Sequence, residues 1–332
     1  MSTLRPNASL IVRPDLALVA AAAISSIAAL AIADMVLPPV PVQTRTGQIF
    51  KIPTESILSM PDVNRERGSG YNRVRGKFTI DTYMTEEAGI EEAVFVEDVA
   101  EYGSVVAGEG VASTRCRDII IRAREKRVAD TCINESTWTA GGATGKTVGT
   151  AWSSSSATPA ADVDDCATNI FNATGVPKDQ LSLVIPLPTF NKLAFVTDFI
   201  TKMKLDSAGL SAQVTPAQAA LYFGVKEVLV PKLTYNTAKD GQTASVSTIW
   251  NKNYAFLFLR MEGAMAIGPS TVDMGAPGLG CSPRWELMDA GGYNAFTYGE
   301  NQTNSDIVRV NQHCDEKIVH TVYANLIKGI YP

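Results

Sequence analysis

The sequence contains only two histidines and five cysteines, none arranged as C-x-x-C, which leaves little material for acid–base catalysis, a zinc site or a disulfide framework. Cys116, Cys132, Cys166, Cys281 and Cys314 are odd in number and widely spaced, and they read as reduced thiols. No G-x-S-x-G, no H-E-x-x-H and no dinucleotide-binding glycine motif after a strand occurs, so no catalytic residue, cofactor or metal is assigned and the chain does not read as an enzyme. Positive charge is in deficit. The 29 Lys and Arg stand against 34 Asp and Glu, a net charge of −5, which excludes a protein whose main task is gripping phosphate backbones. Long hydrophobic runs are nearly missing too.

The one such run, Leu16 to Ala33, is rich in alanine, and Ala31-Ile32-Ala33 has the form of a signal-peptidase site. Pro14 and Asp15 stand where a basic flank should lead into the run, and alanine drives membrane insertion weakly. The stretch therefore reads as a helical arm burying its apolar side on another subunit, with a secreted protein as the alternative.

What is present is ordinary globular composition, 45% hydrophobic and 19% charged over 332 residues, enough for one large or two medium domains. The local signals agree best between Val214 and Leu259. Thr215, Pro216 and Gln218 form a capping box that opens a helix with Ala219, Ala220, Tyr222 and Phe223 on its apolar face, and Gly224 closes it. A strand over Val225 to Val230 stops at Pro231. Asp240-Gly241 then marks a hairpin turn before the β-prone run Ser245 to Trp250.

Earlier in the chain, Thr46 to Pro53 and Lys77 to Tyr83 read as the two strands of a long hairpin whose tip has too little apolar content to pack. Arg65, Arg67, Arg73, Arg75 and Lys77 surround Tyr71 in its second half, a solvated loop or a weak nucleic-acid contact. The sign then reverses. Asp81, Glu86, Glu87, Glu91, Glu92, Glu97, Asp98 and Glu101 fall in one segment without Lys or Arg, and read as a solvated helical or irregular face.

No proline interrupts Ala107 to Asn134, which reads as one helix of about 25 residues and roughly 38 Å. Ala112, Cys116, Ile119, Ile120 and Ala123 line one face, and Ile121, Val128 and Cys132 another, so the helix should meet structure on two sides. Ser136 to Ser156 is Gly/Ser/Thr-rich and contains Ala140 to Thr147, AGGATGKT, a loosened phosphate-loop pattern with Lys146 and Thr147 as ligands. It lacks a buried strand before it and a helix after it, so nucleotide binding stays an alternative only.

Thr158-Pro159 opens a further helix that Gly175 closes, Leu181 to Ile185 is a buried strand, and Pro188 starts a helix with Phe190, Leu193, Ala194, Thr197 and Ile200 on one face. After Leu259 the chain reads as irregular up to the strand Asn294 to Tyr298. Strands follow over Asp306 to Asn311 and Lys317 to Tyr323, with His313 to Glu316 as a turn rather than a zinc site.

This order of elements, with the phrases "LYFGVKEVLV", "YNTAKDGQ", "STIWNKNYAFLF" and "TPAADVDDCATNIFNATGVPKDQLSLVIPLPTFNKL", resembles the major capsid proteins of tailed bacteriophages with the Hong Kong 97-like fold. The resemblance implies an α+β fold with an N-terminal arm at 1–44, an extended β-hairpin loop at 45–85, and a peripheral domain at 86–157 holding a spine helix at about 107–134. An axial domain at 158–285 and a return to the peripheral domain at 286–332 complete it. It also implies a head protein forming hexamers and pentamers of an icosahedral or prolate shell around double-stranded DNA, which a mildly acidic wall repels and leaves free to move.

The implied partners are further copies of the chain, a scaffolding protein, a portal and a decoration protein, with packaged DNA contacted weakly and no membrane. The residues ahead of Asp34 are too few for a fused scaffolding segment, so a separate scaffold or protease is expected. The location implied is the virion, assembled in the host bacterial cytoplasm. Arg65, Arg67, Arg73, Arg75 and Lys77 of one subunit are expected to meet Glu86, Glu87, Glu91 and Glu92 of the next.

Overall fold

Five short strands, buried on both faces, form the centre of the molecule. The computed structural model describes residues 11–12, 27–68, 70–97, 105–138, 145–203, 214–239, 241–263, 265–268, 271–273, 277–286 and 292–332. The central sheet runs Gly145–Thr147, Ala324–Lys328, Tyr254–Phe258, Ser182–Val184, Glu227–Leu229. Because side chains alternate across a sheet, its residues divide between two cores. Leu183, Ala255, Leu257 and Ile327 face helices Pro159–Thr174 and Pro216–Phe223. Val184, Phe256, Phe258 and Leu326 face the long helix Val105–Cys132 and the segment from Ile32 to Leu37.

The local signals around this sheet hold. Thr215 and Gln218 make both halves of the capping box, and Gly224 ends that helix in the left-handed region at φ 66°. Gly175 does the same for Pro159–Thr174 at φ 73°. Strands Thr234–Asn236 and Val246–Thr248 pair as the expected hairpin; Asp240 lies outside the described residues.

The helix expected from Pro188 is instead three short pieces, Leu187–Phe190, Leu193–Phe195 and Thr197–Lys202, with Val196 extended at ψ 123°. The buried apolar residues are Phe190, Leu193, Val196 and Phe199, three apart, which is a 3₁₀ repeat rather than the 3.6 of an α-helix. Thr197 and Ile200 point away, exposed.

A second sheet lies along the long helix. Asn294–Glu300, Ser305–Cys314 and Glu86–Phe95 are successive antiparallel strands, and Ala295 and Val310 close a small core with Cys116 and Ile120 of the helix. Within the acidic segment Glu86–Phe95 is thus a ten-residue strand, not a helical or irregular face, because each of these residues finds a partner on Ser305–Cys314; Asp81 belongs to Thr79–Met84, and Asp98 and Glu101 lie outside the described residues. The helix meets structure on two sides as expected, but Ile119 and Ala123 are exposed and Ala129 takes a core place.

The extended hairpin pairs Thr46–Lys51 with Thr79–Met84 in register, and Thr271–Asp273 and Met265–Gly268 widen it to four strands. These two, with Gly280–Trp285, occupy a stretch expected to be irregular. His313 and Cys314 continue the strand instead of turning, and only Lys317–Ile318 of the next expected strand is extended. The closing strand Ala324–Lys328 joins the central sheet rather than returning to the peripheral one.

Ile32, Ala33, Val36 and Leu37 are buried in the chain's own core. For these residues the arm expected to cover another subunit is corrected, and Ala31-Ile32-Ala33 forms part of the packed interior edge. Most of the Leu16–Ala33 run lies outside the described residues.

Candidate assembly surfaces

The basic tip is open on all sides. Arg65, Arg67, Arg73, Arg75 and Lys77 are exposed, and Arg65 lies over the Tyr71 ring with 4.3 Å to its centroid. Asn72 Nδ2 donates to the Asp62 carbonyl at 2.9 Å, and Asp62 accepts from Asn64 N–H at 2.9 Å, which closes the end of the loop on itself. As expected the tip does not pack: Met60 is 96% exposed and Val63 and Val74 are open, as are Phe78, 66% exposed, and Ile80 at the start of the returning strand. The alternation Arg73-Val74-Arg75, then Lys77-Phe78, was the signal for this in the sequence: in a fully extended conformation it sets basic side chains on one face and apolar ones on the other.

The acidic residues stand on strand Glu86–Phe95 and are sorted by its pleat. Glu87 and Glu91 project to the outer face, where Glu91 pairs with Arg309 and accepts from the Tyr298 hydroxyl at 3.0 Å. Glu87 accepts from Asn311 Nδ2 at 2.6 Å. Glu86 and Glu92 project to the opposite face, and Glu92 meets Arg115 of the long helix at 2.6 Å. Glu91 and Glu92, expected to act together, therefore stand on opposite faces of the strand.

The base of the loop is tied down by charge. Asp81 lies 3.2 Å from Lys317 and 3.6 Å from Lys51, and Asp315 accepts from the Met84 N–H at 3.0 Å. Burial opposes the Asp81 carboxylate, but the Thr82 N–H and Lys317 outweigh it and hold its pKa below the ordinary value.

Inside, Glu125 accepts from Ile32 N–H at 3.1 Å, Ala33 N–H at 2.9 Å and Trp250 Nε1–H at 2.6 Å. One buried carboxylate thus joins the N-terminal segment, the long helix and the central region. Asp34 extends the junction, bonded to Arg124 and to Arg284 at 2.6 Å.

The phosphate-loop reading fares differently. Gly145–Thr147 is a strand parallel to Ala324–Lys328, and Lys146 is held 2.8 Å from Asp162 and 2.6 Å from Asp165. Burial disfavours its charge, but the two carboxylates prevail and raise its pKa. A phosphate-loop lysine must point its ammonium at an anion, and this one is engaged by two carboxylates. The stretch 139–144 lies outside the described residues. The thiols are buried, and desolvation pushes Cys116 and Cys314 up to about 11.

Neither a family model nor a curated protein sequence matches the chain. Solved structures do. A phage-related protein from Bordetella bronchiseptica RB50 superposes with a TM-score of 0.70 at 17% identity, over 97% of this chain and 98% of that one. The capsid of cyanophage P-SCSP1u gives 0.53 at 14% identity, over 90% and 88% of the two chains. The chain has the Hong Kong 97-like capsid fold. The holo-SrpI encapsulin complex from Synechococcus elongatus is similar as well, with a TM-score of 0.51 at 10% identity over 93% and 89% of the chains. Val105–Cys132 falls where the spine helix is expected, and Thr46–Lys51 with Thr79–Met84 where the extended loop is expected.

Proposed function

We propose that the chain is a major capsid protein that assembles into hexamers and pentamers of an icosahedral or prolate shell enclosing double-stranded DNA. The observation that carries this reading is an extended loop whose apolar side chains, Met60, Val63, Val74, Phe78 and Ile80, stand exposed on a chain with a capsid fold. Fully burying one such side chain is worth about 1.5–3 kcal/mol. An exposed charge pair is worth about 0.2–1 kcal/mol and is screened by salt. Apolar contact with a neighbour then sets the strength of assembly. Arg65, Arg67, Arg73, Arg75 and Lys77 set its register against the carboxylates of the peripheral strand, Glu87 first among them.

The role is structural rather than catalytic. A scaffolding protein, a portal and a decoration protein are the expected partners, the virion is the expected location, and assembly takes place in the host bacterial cytoplasm. The net charge of −5 supports weak contact with the packaged DNA. Among the described residues no helix is long and apolar enough to cross a membrane.

Electron microscopy of purified protein should show closed particles, and nuclease-protected DNA in particles from producing cells identifies the contents. A monodisperse monomer across salt and concentration would overturn the shell. The charge contact has its own test: Arg73→Glu with Arg75→Glu slows assembly at low salt, and Glu87→Lys in the same chain partly restores it. Unchanged assembly of the double variant removes these charges from the contact.

A further inference from the structure

Strand Glu86–Phe95 is paired along one edge and, among the described residues, bare along the other. Val96 N–H donates to the Asn304 carbonyl at 3.3 Å, extending by one residue the ladder in which Phe95 faces Ser305. Antiparallel pairs alternate between bonded and unbonded, so the even positions from 86 to 94 exchange hydrogen bonds with Ser305–Cys314. The N–H and C=O groups of Glu87, Gly89, Glu91 and Ala93 consequently point to the bare edge. Ten residues of open edge are a template for another strand, which proteins otherwise cover or disrupt.

A segment suited to that edge is present in the extended loop. Residues 73–78 lead into Thr79–Met84 beyond Lys51, where the partner strand stops, and all of them are exposed. Arg73, Arg75 and Lys77 recur every second residue, with Val74 and Gly76 between them and Phe78 after them. The open edge carries carboxylates on both faces, Glu86 and Glu92 standing beside the apolar residues on the helix side. Glu87 and Glu91 lie on the outer face with Gly89 between them, where Asn311 of the paired strand already fills the space. A Cβ there would stand 2.9 Å from that of Asn311. Ile90 and Val94 lie on the helix side. Arg115 reaches Glu92 on that side, which sets the helix row of Val111, 60% exposed, and Ile119, 44% exposed, beside the strand.

We propose that residues 73–78 of one copy add as a strand to the free edge of Glu86–Phe95 in a second copy. Arg73, Arg75 and Lys77 then lie beside Glu87 and Glu91, and Val74 and Phe78 lie over Ile90, Val94 and Ile119. Main-chain hydrogen bonds give such an addition its hold, and the alternating side chains fix its face and register. The proposal rests on the shell reading and adds to it a backbone ladder between subunits.

Amide hydrogen exchange, followed by mass spectrometry on unassembled subunits and on assembled particles, tests it. Peptides covering 70–80 and 86–96 are expected to gain protection only on assembly. Ala93→Pro removes one N–H from the open edge without touching the ladder to Ser305–Cys314, and should leave a folded subunit that assembles at least tenfold more slowly. Ala93→Ser should assemble as the wild type does. Particles whose two peptides exchange as fast as in subunits overturn the strand addition while the shell stands. So does protection already present in subunits, which would place the ladder within one chain, or normal assembly of a folded Ala93→Pro. Should Ala93→Pro not fold, the exchange comparison alone decides. Failure of the wild type to form any particle refutes the shell, and the proposal with it.

Discussion

Replacing Glu125 by alanine tests whether one buried carboxylate holds the N-terminal segment to the long helix and the central region. Its side chain accepts from Ile32 N–H at 3.1 Å, Ala33 N–H at 2.9 Å and Trp250 Nε1–H at 2.6 Å, and the residue is fully buried. Truncation leaves three donors without an acceptor in a site closed to solvent, each costing about 1–3 kcal/mol if nothing relaxes. Three donors around one carboxylate share a single site, so the losses will not add fully, and a total of roughly 3–5 kcal/mol is expected. That is a large share of the roughly 5–15 kcal/mol that stabilises a typical domain. Glu125→Gln keeps one acceptor oxygen but turns an NH₂ towards a donor, and should cost about 1–3 kcal/mol. Urea unfolding of unassembled subunits measures both variants, and proteolysis between residues 27 and 37 should quicken in Glu125→Ala before global unfolding. A loss below about 1 kcal/mol for alanine, or equal losses for both variants, would show that the three hydrogen bonds do not carry the junction.

Gly224→Ala forces a Cβ onto a left-handed residue at φ 66° whose nearest neighbour is the flexible end of Lys178, so only backbone strain is added and a loss of about 1–2 kcal/mol in unfolding free energy is expected. Lys146→Met breaks the pairs with Asp162 and Asp165 at a partly exposed site; stability should fall by at most about 1 kcal/mol, and ATP should fail to shift the melting temperature of either protein. His320 has its pKa pushed below the ordinary 6.5 by burial and then by Lys51, so the folded chain prefers it neutral. Its contribution is present above 6.5 and is lost as pH falls through the depressed value. His320→Gln should flatten that part of the stability profile, and an unchanged slope would refute the assignment. Intact mass of the mature protein should retain Ile32 and Ala33, since cleavage after Ala33 removes two core residues; a chain beginning at Asp34 would restore the secretory reading.

What the sequence by itself determined was whatever neighbours along the chain decide. The Thr215–Gln218 capping box, the left-handed ends at Gly175 and Gly224, the proline-free long helix and the short strand Ser182–Val184 depend on contacts within a few residues, and each was legible in the order of residue types. The alternation of basic and apolar residues from Arg73 to Phe78 belongs with them, although its apolar half is noticed only when those side chains are seen exposed. Tertiary structure alone decided the rest. Glu86–Phe95 has the composition of a solvated helix, and it is a strand because Ser305–Cys314, more than two hundred residues away in the chain, supplies a partner for all ten of its residues. The face of each glutamate, and hence the separation of Glu91 from Glu92, follows from that pairing and from nothing local. In the same way Ile32 to Leu37 has the composition of an arm for another subunit, but the acceptor for its amides is Glu125, on a helix that begins some seventy residues later. Pairing and burial between distant segments fix a residue's face and its partner, and a linear pattern carries neither.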